Sequence, residues 1–262
     1  MKARFWASLA CLSGLALVLV SCGKKEETAE NAPAGQPAAT PIDMSTVGSV
    51  SGAVKLEGPA PKPKKINMGA DQFCASVHPG GGATEEVVTD ASGDLANVIV
   101  YVKDGLGNRT FDAPKTPVEL DQKGCMYSPH IVTLMAGQTF DVKNADQTTH
   151  NIHPVPKNNR EWNKSQAPGA PDISDTFARE EVAIPVQCQV HPWMKSYIAV
   201  FKHPYFAVTG ANGSFDIKNL PPGTYTLEAW HEKFGVSDQT VTIGAKEAKT
   251  VTFSFKPATG GD

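Results

Sequence analysis

From Gly48 onward the sequence predicts an all-β chain, and three observations carry that reading. Apolar and polar residues alternate in Val50-Ser51-Gly52-Ala53-Val54-Lys55-Leu56, and Val98-Ile99-Val100-Tyr101-Val102 is a run of β-branched and aromatic residues. Gly and Pro clusters punctuate these runs. No segment shows a 3.6-residue apolar period over the length of a helix. A chain of 262 residues can bury one large core or two modest ones.

The chain opens differently. Residues 1–21 have a basic start (Lys2, Arg4) and an apolar run from Leu9 to Val20, too short to anchor stably across a bilayer. The run ends in Leu19-Val20-Ser21-Cys22, which resembles the bacterial lipobox. That resemblance implies cleavage before Cys22 and a lipid on its thiol. Gly23, rather than Asp, follows it, so the expected location is the bacterial cell envelope, at an outer membrane facing the periplasm. Residues 22–47 are Lys, Glu, Ala, Pro and Thr with almost no large apolar group. They are expected to form a disordered tether with a root-mean-square reach of about 25–30 Å. Loss of residues 1–21 removes Lys2 and Arg4 but no acid, moving the net charge from −3 to −5. Such a chain lacks the basic patch that nucleic acid requires.

The strongest chemical signal is Cys188-Gln189-Val190-His191-Pro192-Trp193-Met194, with His150 upstream. Val182–Val186 and Tyr197–Phe201 read as consecutive strands. Cys188 then ends one strand, His191 lies at the tip of a tight loop, and Met194 begins the return. His150 follows the strand Thr139–Val142. A thiolate, two imidazoles and a thioether form the ligand set of a trigonal copper site with a weak axial Met. The loop resembles the short ligand loop of amicyanin, and Thr149-His150-Asn151-Ile152 resembles the cupredoxin pattern of His followed by Asn and an aliphatic residue. Over residues 116–203 this resemblance implies a cupredoxin Greek-key β-sandwich holding one type 1 copper on His150, Cys188, His191 and Met194. It implies that the backbone amide of Asn151 hydrogen-bonds the sulfur, and that redox partner proteins dock on an apolar rim of Pro154, Pro192 and Trp193 around an exposed His191 edge. Lys195-Ser196 departs from the Gly that many relatives carry soon after the Met. His153 is read as structural or exposed.

Near the C-terminus, Asn212-Gly213 and Pro221-Pro222-Gly223 are turn signals, with Tyr225, Leu227 and Ala229 alternating after the second. These resemble the carboxypeptidase regulatory-like domain, a small transthyretin-like β-sandwich. Its starting strands, of the form seen in residues 50–56 and 97–102, lie before the cupredoxin-like segment. The expected plan is therefore an insertion: residues 48–104 form the first part of the sandwich, 105–203 the cupredoxin domain, 204–257 the second part, and 258–262 a tail.

Of the five cysteines, Cys11 leaves with the leader, Cys22 takes lipid and Cys188 is claimed by metal. Cys74 and Cys125 remain, and in an oxidising compartment they are expected to pair. The competing arrangement is a second metal site, since His78 follows one and His130 the other. There is no Ser/His/Asp or paired-carboxylate constellation, and no His-x-His pair for a second copper, so catalysis is not expected. The reading is a lipid-anchored blue-copper carrier of single electrons. The alternative is a lipoprotein that sequesters copper, or binds carbohydrate or protein, without electron transfer.

Overall fold

The alternating segments do form strands. In a computed structural model that describes residues 39–257, they build two β-sandwiches, one interrupting the other along the sequence. Residues 1–38 and 258–262, with the leader, Cys22, most of the expected tether and the tail, lie outside the described residues. Among the described residues no helix is long and apolar enough to cross a membrane.

In chain order, β1 (Gly48–Leu56) leads into a connection made of β2 (Lys65–Ile66), α1 (Gln72–Val77) and β3 (Gly82–Ala83), and then into β4 (Ile99–Asp104). The next nine strands are β5 (Val118–Lys123), β6 (Met126–Ser128), β7 (Ile131–Met135), β8 (Thr139–Asn144), β9 (His150–Pro154), β10 (Lys164–Gln166), β11 (Ile173–Thr176), β12 (Glu181–Gln187) and β13 (Lys195–Phe201). The chain ends in β14 (Phe206–Val208), β15 (Ser214–Leu220), β16 (Gly223–His231), β17 (Gly235–Ile243) and β18 (Ala248–Phe255).

The host sandwich combines both ends of the chain. One sheet has the order β15-β1-β18 and the other β14-β4-β16-β17. Strands β5–β13 therefore interrupt it between β4 and β14. The expected turns are where the sequence puts them. Gly213 sits at φ +66°, a conformation open to Gly, and a Cβ there would lie 2.7 Å from the Val54 carbonyl oxygen. Tyr225, Leu227 and Ala229 all point inward with Val54, Val100, Phe253 and their neighbours.

The inserted sandwich packs β10-β9-β12-β13-β7 against β11-β8-β5-β6. Leu120, Phe140 and Val142 of the smaller sheet meet Val132, Ile152, Ile184, Val186 and Ile198 of the larger one. A third cluster, with Ile99, Tyr101, Ile131, Ala199 and Phe201 at its centre, joins the two sandwiches.

Three boundaries differ from expectation. The tether does not run free to residue 47: the Thr40 amide donates to the Thr110 carbonyl at 2.8 Å, and Lys246 donates to Thr46 at 3.0 Å. Leu106 and Phe111, expected in the inserted unit, pack in the host core, because β4 must cross that core before the chain leaves it. The β1–β4 connection, expected in the host sandwich, instead packs Ile66, Met68 and Cys74 with Cys125, Met126 and Trp193 of the inserted unit. Helix α1 within it is six residues long, too short to leave a periodic signal. Asp71 caps it, accepting the Cys74 amide at 2.9 Å.

Candidate metal centre

The ligand loop closes on itself. Met194 donates its amide to the His191 carbonyl at 2.9 Å, and Cys188 donates to the Met194 carbonyl at 3.3 Å. This folds residues 188–194 into a tight turn between β12 and β13, placing Cys188 and Met194 in the inserted core, 2 % and 0 % exposed. His150, the first residue of β9, faces the loop from the neighbouring strand. The ligating atoms of His150, Cys188 and His191 lie within 4.8 Å of one another, and all three residues are buried. The two Nδ1 atoms are 2.9 Å apart, and Cys188 Sγ lies 4.0 Å from His191 Nδ1.

The far edges of the two imidazoles explain why the Nδ1 atoms meet. His150 Nε2 donates to Asp146 Oδ2 at 2.9 Å, and His191 Nε2 donates to Asp71 Oδ2 at 3.3 Å. A carboxylate can only accept, so each Nε2 carries the hydrogen and each neutral ring presents a lone pair at Nδ1. Two lone pairs at that separation require a proton or a cation between them. Burial pushes His150 below the usual imidazole range, against the hydrogen bond to Asp146, which favours its neutral, ligating form. The centre thus offers two imidazole nitrogens and a sulfur, with Met194 in the same loop. This set suits a soft or borderline metal ion rather than Mg²⁺ or Ca²⁺.

Asp71 and Asp146 carry no motif in the sequence; their role appears only on folding. Asp146 is fixed by the amides of Gly124 and Cys125, both at 2.7 Å. Asp71 accepts from the Cys74 amide and from Thr148 Oγ1 at 2.8 Å. Burial pushes its carboxyl up, but the hydrogen bonds from Cys74, Thr148 and His191 outweigh that and hold it below the usual carboxylate range.

Asn151 is beside the sulfur by a different contact from the one expected. The backbone amide that reaches Cys188 Sγ is that of His191, at 3.3 Å. Asn151 instead brings its Oδ1 to 3.4 Å from the sulfur and accepts the Gln189 amide at 2.7 Å, so its side chain braces the loop.

The expected exposed edge and apolar rim are also corrected. His191 is only 2 % exposed. The β1–β4 connection covers it, with Cys74 Sγ 3.6 Å from His191 Nε2, and a disulfide from Cys74 to Cys125 pins that cover (Cα–Cα 5.7 Å). Trp193 turns inward, its Nε1 donating to the Cys125 carbonyl at 3.0 Å and its ring centroid 5.0 Å from that of His191. Pro154 is buried where β9 pairs with β12; of the three rim residues only Pro192 is exposed. The alternative second metal site on the cysteines does not form, because the sulfurs bond each other and His78 Nε2 contacts the Gly124 carbonyl at 2.7 Å. His153 lies at the surface against Glu161 at 2.7 Å.

Residues 197–256 match the carboxypeptidase regulatory-like domain. The match begins in β13 and takes in β14–β18, while β1 and β4 of the same sandwich lie more than ninety residues upstream of it, outside a contiguous match. No curated protein matches the chain. Among solved structures, a purple cupredoxin from Nitrosopumilus maritimus is similar at 21 % identity, covering 32 % of this chain and 98 % of that one, with a TM-score of 0.28. An amicyanin variant in its Cu(I) form is similar at 17 % identity, covering 38 % and 97 %, with a TM-score of 0.29. A copper-containing nitrite reductase from Thermus scotoductus is similar at 18 % identity over 37 % of this chain, with a TM-score of 0.31, and the similarity spans a quarter (25 %) of that enzyme's length.

Proposed function

We propose that this protein is a lipid-anchored type 1 copper protein of the bacterial envelope that passes single electrons between redox partner proteins. The observation that supports it best is the convergence of His150 Nδ1, His191 Nδ1 and Cys188 Sγ in a buried cluster, with both Nε2 edges already committed to carboxylates. His150, Cys188, His191 and Met194 would hold the ion. Copper bound there would supply one-electron chemistry through a thiolate bond.

The chain's own part is to hold the donors still. The strands, the closed loop and the Asn151 brace fix them, so little rearranges between oxidation states. Protein ligands fill the site, which leaves no position for a substrate. The exposed part of the ligand loop, Val190 (50 % exposed) and Pro192, is the surface left for a partner.

One observation favours the second reading, copper sequestration: the His191 edge is covered rather than presented. Colour and reversibility separate the two. The purified chain with Cu(II) should show an intense visible charge-transfer band that bleaches with ascorbate and returns with oxidant, and Cys188→Ser should abolish it. Colourless binding, or a Cys188→Ser variant that stays equally coloured, would refute the carrier reading. For the anchor, Cys22→Ser should move the protein from the membrane to the soluble fraction. Unchanged membrane fractionation of that variant would remove the lipid from the proposal.

A further inference from the structure

We propose that His130 and Glu85 form a second cation site, for a divalent ion of the zinc class, at the junction of the two sandwiches. His130 precedes β7 and is 8 % exposed. Its Nε2 is hydrogen-bonded to Glu232, just beyond β16. The carboxylate can only accept, so in the neutral ring Nδ1 carries the lone pair. That Nδ1 has no hydrogen-bond partner, and neither has Glu85 Oε2, 3.7 Å away; both atoms are shut off from water. Two acceptor atoms facing each other in a buried position are costly unless something positive lies between them.

The separation suits an ion. Bonds of roughly 2.1 Å to both atoms would span it at an angle on the order of 120°. His130, Glu85, Glu86 and Glu232 also line a cavity of about 100 Å³ beside the pair, from which water could reach a bound ion. Lys195 lines it too, but among the described residues its ammonium pairs with none of these carboxylates. The set of one imidazole, nearby carboxylates and water points to zinc or a similar ion rather than to Mg²⁺, which favours all-oxygen surroundings. Glu232 would act as the orienting carboxylate that fixes the ring and its tautomer. The ion would join three distant segments: the β1–β4 connection at Glu85, the start of β7 in the insert, and the end of β16 in the host.

The competing account is a doubly protonated His130 clasped between Glu232 and Glu85, and the test separates the two. Zinc is titrated into the full chain while the ring nitrogens of ¹⁵N-histidine are followed by NMR and bound zinc is counted by dialysis. The expected result is a zinc ion, counted apart from any held at the Cys188 centre, that shifts His130 Nδ1 while Nε2 keeps its proton, with Glu85→Gln weakening this His130 response at least tenfold. Glu85 is partly exposed, so this variant should fold even if His130→Gln does not. A His130 ring protonated on both nitrogens and unresponsive to zinc near neutral pH overturns the site, as does a zinc response of His130 unchanged in Glu85→Gln. The same His130 response is expected in Cys188→Ser, so failure of the copper reading leaves this result standing.

Discussion

Removing the Cys74–Cys125 bond tests whether the cover over His191 is held in place or merely rests there. Cys74→Ala/Cys125→Ala is the suitable perturbation, because Ser would bury two hydroxyls among Ile66, Met68 and Met126. The bond closes a loop of 51 residues, which the chain-entropy argument values at about 4 kcal/mol as an upper bound. In a protein of this size that is roughly 8–16 °C in melting temperature if the cover unfolds with the rest. Other contacts limit the loss: Ile66 and Met68 stay buried, and the His78 and Asp71 hydrogen bonds remain. The drop should therefore fall short of that bound, while residues 65–83 exchange their amide hydrogens faster. His191 Nε2, now 3.6 Å from Cys74 Sγ, should become open to diethyl pyrocarbonate. Calorimetry, hydrogen exchange and mapping of modified histidines read the three effects separately. An unchanged melting temperature with His191 still protected would show that packing, and not the disulfide, holds the cover.

The other two predictions concern single carboxylate and imidazole groups. Asp146→Asn should lower stability by about 2–4 kcal/mol in urea unfolding, since the buried carboxylate accepts from Gly124, Cys125 and His150 and an amide can replace only part of that; a loss under 1 kcal/mol would mean that the turn re-forms without it. His231, 1 % exposed and stacked on Phe234, is held at about 4 by burial and then by the nearby His130. Its folded value lies below the unfolded 6.5, so the unfolded chain binds the extra proton, and stability present above pH 6.5 should fall as the pH drops towards 4. The gap corresponds to roughly 3 kcal/mol at most, and His231→Gln should flatten that slope in pH-dependent melting; an equally steep slope would place the effect elsewhere.

What was legible in the sequence follows from how local the signal is. Strand alternation needs only neighbours, so β1, β4, β8, β12 and β13 fall where Val50–Leu56, Val98–Val102, Thr139–Val142, Val182–Val186 and Tyr197–Phe201 place them. Cys188 and His191 come together for the same reason, since both lie in one tight seven-residue loop. The insertion could be read because the host pattern is split between two recognisable halves. The cover could not. Its helix spans six residues, and the contacts that define it, Asp71 to His191 and Cys74 to His191, bridge 120 and 117 positions. Nothing within reach of Asp71 in the sequence marks it as more than a helix cap. The sequence-based rim failed through the same blindness: Trp193 looks like a surface aromatic until Cys125 offers it a carbonyl.

The cover also changes what the insertion means physically. Were the nine inserted strands a self-sufficient unit, both imidazoles would find their Nε2 partners within it. His150 does, in Asp146 four residues away, but His191 takes its partner from the host's own β1–β4 connection. The tautomer and orientation of one imidazole therefore depend on the host sandwich being folded and on the connection lying flat. By linkage, an ion that binds only this arrangement stabilises it in return, so binding at the centre and docking of the cover must strengthen each other. Cutting the insert out at its strand boundaries would keep all four candidate donors and lose Asp71, leaving His191 Nε2 without its carboxylate. The isolated insert should then bind the same ion more weakly than the full chain, with its His191 ring less constrained.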